Sequence, residues 1–125
     1  GVGSVTGEMK NVYEIVKKAN ESAINKIKPG VKIHDIDEEA RGIIREAGYG
    51  EYFTHRLGHG VGLNGHEEPF IMQKNEMVLQ PGMAFTIEPG IYLKDKFGVR
   101  IEDNLIVTEN GSLNLMTFTK ELIVL

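Results

Sequence analysis

The chain has 125 residues, 41% hydrophobic and 26% charged, with a formal net charge of −4 and a pI near 5.6. That length supports one domain with a real core, and the balance is that of an ordinary globular fold, not of a disordered or fibrous one. The acidic balance argues against a nucleic-acid partner, no apolar run approaches the roughly 20 residues that span a bilayer, and the absence of cysteine rules out a disulfide framework.

The opening, "GVGSVTG", lacks both Met and the charged-then-apolar character of a signal peptide, so a piece of a longer protein is expected. From Glu8 the pattern turns helical. Met9, Val12, Val16, Ala19, Ala23 and Ile27 recur at spacings of three and four. Thr6 is the expected N-cap and Pro29-Gly30 the stop. A second helix is predicted near Asp35, with Glu38 closing a capping box, Ile36, Ala40, Ile43, Ile44 and Ala47 as its buried stripe, and Gly48 at its end.

After Gly50 the texture changes to glycine-rich turns and short extended runs. In "MAFTIEPGIYL" Met83, Phe85 and Ile87 alternate with Ala84, Thr86 and Glu88. In "GVRIEDNLIVT" Val99, Ile101, Leu105 and Val107 share one face, and Arg100, Glu102 and Asn104 the other. "ENG" at 109–111 signals a turn, and a last strand pair is predicted over Leu113–Thr117 and Glu121–Leu125. Helices followed by strands predict an α+β fold with a mainly antiparallel sheet.

The chemistry-bearing run is "HRLGHGVGLNGHEEP", which holds His55, His59 and His66, three of the four histidines. The His55/His59 spacing would suit a helical zinc site, but Gly58, Gly60 and Gly62 make a helix improbable there. In a looped run those glycines let the backbone pass close to a metal or ligand. Glu88 precedes a Pro-Gly turn and Glu102 sits mid-strand among apolar residues. Such a glutamate is either on a solvated face or buried against a cation or counter-charge, and Arg100 is placed to orient Glu102. Composition and period leave both readings open.

The three stretches "HRLGHGVGLNGHEEP", "LQPGMAFTIEPGIYL" and "FGVRIEDNLIVTENG", in that order, resemble successive signatures of the metal-dependent Xaa-Pro peptidases. These are prolidase and aminopeptidase P, pita-bread relatives of methionine aminopeptidase. The resemblance covers nearly the whole chain. It implies residues 1–125 are the C-terminal part of a catalytic domain: half of a pita-bread unit, two helices on a curved, mainly antiparallel sheet. It further implies a dinuclear site of two aspartates, one histidine and two glutamates. His59 matches the histidine ligand, Glu88 a glutamate ligand and Glu102 the metal-bridging glutamate. His55 and His66 match pocket histidines, and Arg100 the arginine beside the bridging carboxylate.

The implied reaction is hydrolysis of the peptide bond before proline by a metal-bridging hydroxide, with His66 stabilising the oxyanion and Glu88 shuttling the proton. The implied cofactors are two divalent ions in the full-length protein, manganese favoured over cobalt or zinc. The expected partners are a proline-containing di- or oligopeptide and a second copy in a homodimer, with neither nucleic acid nor membrane, in the cytoplasm. The two aspartates belong upstream of "GSVTGEMKNVYEI", and Asp35 and Asp37, at a helix start, are no substitutes. This chain alone is therefore expected to be inactive. The rival readings are methionine aminopeptidase and a non-catalytic binding module on the same fold.

Overall fold

The computed structural model describes residues 2–61 and 68–124, with side-chain environments described over 7–61 and 68–115. Two helices come first: α1, Val2–Lys26, and α2, Ile33–Glu46. Among the described residues a 3-10 turn, Gly50–Tyr52, leads into the strands β1, Gly58–His59; β2, Phe70–Ile71; β3, Ala84–Ile87; β4, Gly90–Leu93; β5, Phe97–Val107; and β6, Ser112–Val124. Every strand pair is antiparallel. The α+β expectation is met. Among the described residues no helix is long and apolar enough to cross a membrane.

The helical stripe of α1 is buried as its period requires: Val12, Val16, Ala19 and Ala23 lie in the core against α2 and the sheet, and so does Ile27 just past the helix end. Thr6 is not an N-cap, because α1 already begins at Val2 and Thr6 lies inside it. The second helix also starts earlier than its predicted capping box. Lys32 is the N-cap residue and makes no side-chain cap, while Asp35 sits within the first turn. The reason is tertiary. The unpaired N–H groups at the helix start are satisfied from a distant loop, Ile33 N–H donating to Met77 O at 2.9 Å and His34 N–H to Asn75 O at 2.8 Å.

Glu38, freed from capping, receives Arg45 Nη1–H at 2.7 Å, and that hydrogen bond holds its carboxyl below the ordinary carboxylate range. At the far end Gly48 takes φ 92°. Gly48 N–H donates to Arg45 O, and Tyr49 N–H to Ile44 O, closing the helix as predicted. Ile36, Ala40 and Ile44 are buried, whereas Ala47, at the C-cap, is exposed.

In the main sheet β3 and β4 lie end to end along one side of β5, and β6 lies along the other. Ala84 pairs with Ile106 and Ile87 with Asp103; after a two-residue gap Gly90 pairs with Arg100 and Leu93 with Phe97. One register runs through both, so Met83 to Leu93 is a single line interrupted at Glu88-Pro89, and the Pro-Gly turn expected after Glu88 is not a turn: Gly90 opens β4 in the same register. The predicted pair after Gly111 is one strand instead. Ser112–Val124 spans both predicted segments, Leu125 lying outside the described residues, and the pairing shifts register against β5 between Glu102 and Leu105.

A second, short ladder joins β1 to β2, His59 opposite Phe70. It lies against β3 closely enough that a Cβ on Gly58 would run into the Thr86 backbone carbonyl, and one on Gly60 would run into the Glu68 carbonyl just ahead of β2. Neither obstacle is a flexible side-chain end. Gly58→Ala should therefore destabilise the fold by about 3 kcal/mol, the upper range for overpacking, read as a lowered urea midpoint; an unchanged midpoint would show that β1 can move away from β3.

Candidate active site

Residues 57–61 run along the side of β3 that β5 leaves open. Glu88 N–H donates to Leu57 O at 2.7 Å, Val61 N–H donates to Ala84 O at 3.0 Å, and Gly60 bridges to Phe85. Between these contacts His59 N–H turns to a side chain, donating to Thr86 Oγ1 at 3.0 Å. That same hydroxyl donates to Glu88 Oε2 at 2.7 Å. Thr86, only 1% exposed, thus fixes the backbone of His59 and the carboxylate of Glu88 at once.

The result is a facing pair. His59 Nε2 lies 3.4 Å from Glu88 Oε2. Gly60 O, which can only accept, stands 3.0 Å from His59 Nδ1 and so assigns the proton to that nitrogen. In the neutral ring Nε2 then directs a lone pair at a carboxylate oxygen. Two acceptors so placed call for a shared proton or a shared cation. The donor set fits a cation: a ligating histidine ordinarily donates its other N–H to a carbonyl or carboxylate. Two atoms each about 2.1 Å from one ion stand about 3–3.5 Å apart, the separation being set by the coordination angle.

The register brings a second carboxylate to this row. Glu88 and Pro89 fill the gap between the pairs Ile87–Asp103 and Gly90–Arg100, so Glu88 runs opposite Glu102. Ile101 N–H donates to Pro89 O at 3.2 Å, which holds the strands together across that gap. Arg100 and Glu102, both half-buried, alternate with buried Val99 and Ile101, as the period predicts. Among the described residues, however, no three His, Asp or Glu side chains converge on one point as a complete cation site. His59 and Glu102 flank Glu88 from opposite sides, separated by two strand spacings.

His55 belongs to a neighbouring cluster. Its Nδ1 lies 2.6 Å from Arg56 O and its Nε2 3.0 Å from the Tyr92 hydroxyl. The carbonyl accepts from Nδ1–H, so in the neutral ring Nε2 accepts from Tyr92. The Tyr92 ring lies over two glycines: a Cβ on Gly90 would come within 2.7 Å of its hydroxyl oxygen, and one on Gly98 within 2.7 Å of its ring. His66 lies outside the described residues.

Sequence reasoning did not single out Thr86 or Tyr92. Thr86 carried a readable signal, since it is two residues before Glu88 on the same face. Tyr92 did not, because its reach depends on the pairing that brings Gly98 beneath it.

Residues 1–109 match the model of metallopeptidase family M24. The chain is 52% identical over 122 residues to an Xaa-Pro dipeptidase of Pyrococcus horikoshii, which covers 98% of this chain and 35% of that protein. Among solved structures it is similar to dipeptidase PepE from Mycobacterium ulcerans, at 45% identity with a TM-score of 0.87, covering 94% of this chain and 32% of that one. It is also similar to an X-Pro aminopeptidase from Thermotoga maritima, at 46% identity with a TM-score of 0.86, covering 91% and 32%. The pita-bread architecture expected from the sequence is thus shared with solved structures. The chain spans about a third of the length of the curated relatives it matches.

Thr86→Val keeps the shape of the side chain and removes both hydrogen bonds. It should cost about 1–3 kcal/mol, because the half-buried His59 N–H is left without its acceptor, whereas Thr86→Ser should retain most of the stability; chemical denaturation of the two variants is the check.

Proposed function

Because this chain belongs to metallopeptidase family M24, we propose that it is the C-terminal part of the catalytic domain of a metal-dependent Xaa-Pro peptidase, most simply a dipeptidase. The observation that carries this reading is the facing pair His59–Glu88, with its imidazole proton held away on Gly60 O and Glu102 across the strand gap. The row from His59 through Glu88 to Glu102 is about two strand spacings, roughly 9–10 Å, across. That breadth suits two cations better than one and explains why no three of these groups meet at a single point.

His59 Nε2, Glu88 and Glu102 are the groups that would hold the ions, with manganese the best match to an oxygen-rich donor set. When bound, divalent ions acidify water and polarise the carbonyl that is to be attacked. The chain's own residues then have defined tasks. Thr86 keeps Glu88 Oε2 aimed along the row, so the carboxylate can take up a proton on the attacked side and release it toward the leaving proline nitrogen. His55, with Nδ1–H on a carbonyl and Nε2 on Tyr92, is held as a pocket wall with one defined tautomer. Arg100 flanks Glu102 on the same strand face and is placed to orient its carboxylate. His66 is proposed as the donor to the developing oxyanion. The remaining ligands, two aspartates, would come from sequence preceding this chain. The substrate is a proline-containing di- or oligopeptide, and a homodimer is part of the same proposal.

The full-length protein, assayed on Gly-Pro and on a longer Xaa-Pro peptide with and without manganese, should cleave the dipeptide in a manganese-dependent way. Glu88→Gln should lower kcat/KM by about 10²–10⁴-fold, the range of a lost proton-transfer group, His59→Ala should lower it through loss of a metal-holding imidazole, and both should weaken manganese binding in calorimetry. Cleavage of the longer peptide alone would point to an aminopeptidase. Failure to cleave either peptide, with metal binding also absent, would favour a non-catalytic module.

A further inference from the structure

The segment that presents His55 is held from behind by a charged device on α2. Asp37 has no exposed side-chain surface, and Arg41, one helical turn later, is 15% exposed. Arg41 Nε donates to Asp37 Oδ1 at 2.8 Å and Nη2 to Oδ2 at 3.1 Å, a two-pronged pair that fixes the plane of the guanidinium. The other edge of the same fork reaches the chain beyond the 3-10 turn. Nη1 donates to Phe53 O at 3.1 Å and Nη2 to His55 O at 3.0 Å. The guanidinium carbon also lies 4.1 Å from the centroid of the Phe53 ring, which meets the His55 ring edge-on at 5.1 Å between centroids.

A buried ion pair contributes little net stability, since desolvation of both charges offsets most of their attraction. Its stronger effect here is geometric. Both carbonyls flanking Thr54 are tied to one rigid plane, and the ring before His55 is packed on that plane. The imidazole is left with little freedom except about its own side-chain torsions, and Arg56 O and Tyr92 restrict those. A lysine could supply the charge but not the planar fork that holds Asp37 and two carbonyls together.

We propose that Arg41, held in place by Asp37, is a positioning residue for His55: it sets the backbone of residues 53–55 so that imidazole Nε2 is presented beside Tyr92 at the substrate pocket. This rests on the reading of His55 as a pocket residue, and the test separates the two. In the full-length protein, kcat and KM for an Xaa-Pro peptide are measured for Arg41→Lys, His55→Ala and the two combined. The apolar replacement Asp37→Leu/Arg41→Met, which removes the clamp without leaving a lone buried charge, is carried in parallel in case Arg41→Lys does not fold.

Arg41→Lys should lower kcat/KM about tenfold, as expected for groups that act as a unit, and should have almost no further effect once His55 is alanine. Losses that simply multiply would overturn the proposal. The ring nitrogen signals of His55 give a second readout independent of turnover. Loss of the clamp should shift the Nε2 resonance of His55 and leave that of His59 in place; an unmoved His55 resonance would overturn the proposal as well. If His55→Ala leaves kcat/KM unchanged, the pocket role of His55 fails, and the resonance alone decides whether Arg41 positions the ring.

Discussion

The close approach of residues 57–61 to β3 is the constraint on which the site depends. Neighbouring strands ordinarily keep their backbones about 4.8 Å apart, and side chains stand clear of that plane. Here the Gly58 Cα lies so near the Thr86 carbonyl that no Cβ fits between them. That proximity lets a threonine hydroxyl replace a backbone carbonyl as the acceptor for His59 N–H. It also sets the imidazole beside Glu88 and not above it. The first glycine of "GHG", Gly58, is therefore structural in a specific sense: it removes the volume that would separate a histidine-bearing strand from a carboxylate-bearing one.

The second organising element is the break at Glu88-Pro89. Proline has no N–H to give the ladder, so a strand containing it must lose a pairing there. The chain nevertheless continues in the same register beyond it, because Pro89 O still accepts from Ile101 N–H and β4 resumes at Gly90. Glu88 therefore stays opposite Glu102, with its own N–H turned to Leu57 O on the other side. A true turn would have carried it away from β5 altogether.

Much of this was legible in advance because it follows from period. The stripe of α1, the Gly48 stop and the alternation of β5 are direct consequences of where apolar residues recur, and they are found where the spacing puts them. What period does not encode is which distant group satisfies a local need. The start of α2 looked as though it required Asp35 and Glu38, because nothing in the local sequence reveals that Met77 and Asn75 would supply their carbonyls. The single long β6 was hidden for the same kind of reason, since a slip in alternation reads equally well as a turn or as a bulge against a partner. In the site, His59 and Glu88 were visible as residue types in motifs. Their meeting depends on the glycine-enabled approach, which only the paired strands reveal.

The two clusters around His59 and His55 are built by different means. His59 is fixed by the sheet itself, through Thr86 and the β3 backbone, and its setting is shared with the core behind it. His55 lies on irregular chain between the 3-10 turn and β1, where no ladder exists to hold it. Irregular backbone at a site must be ordered by something else, because fixing each residue costs about 1–2 kcal/mol of conformational entropy. The helix provides that order here: Asp37 and Arg41 spend their hydrogen-bonding capacity on each other and on two carbonyls of this segment. Helix α2 thus has two loads, an apolar stripe that packs the core and a polar pair that extends its rigidity to chain lacking secondary structure. The sheet supplies the stiff half of the site, and α2 stiffens the half that the sheet does not reach.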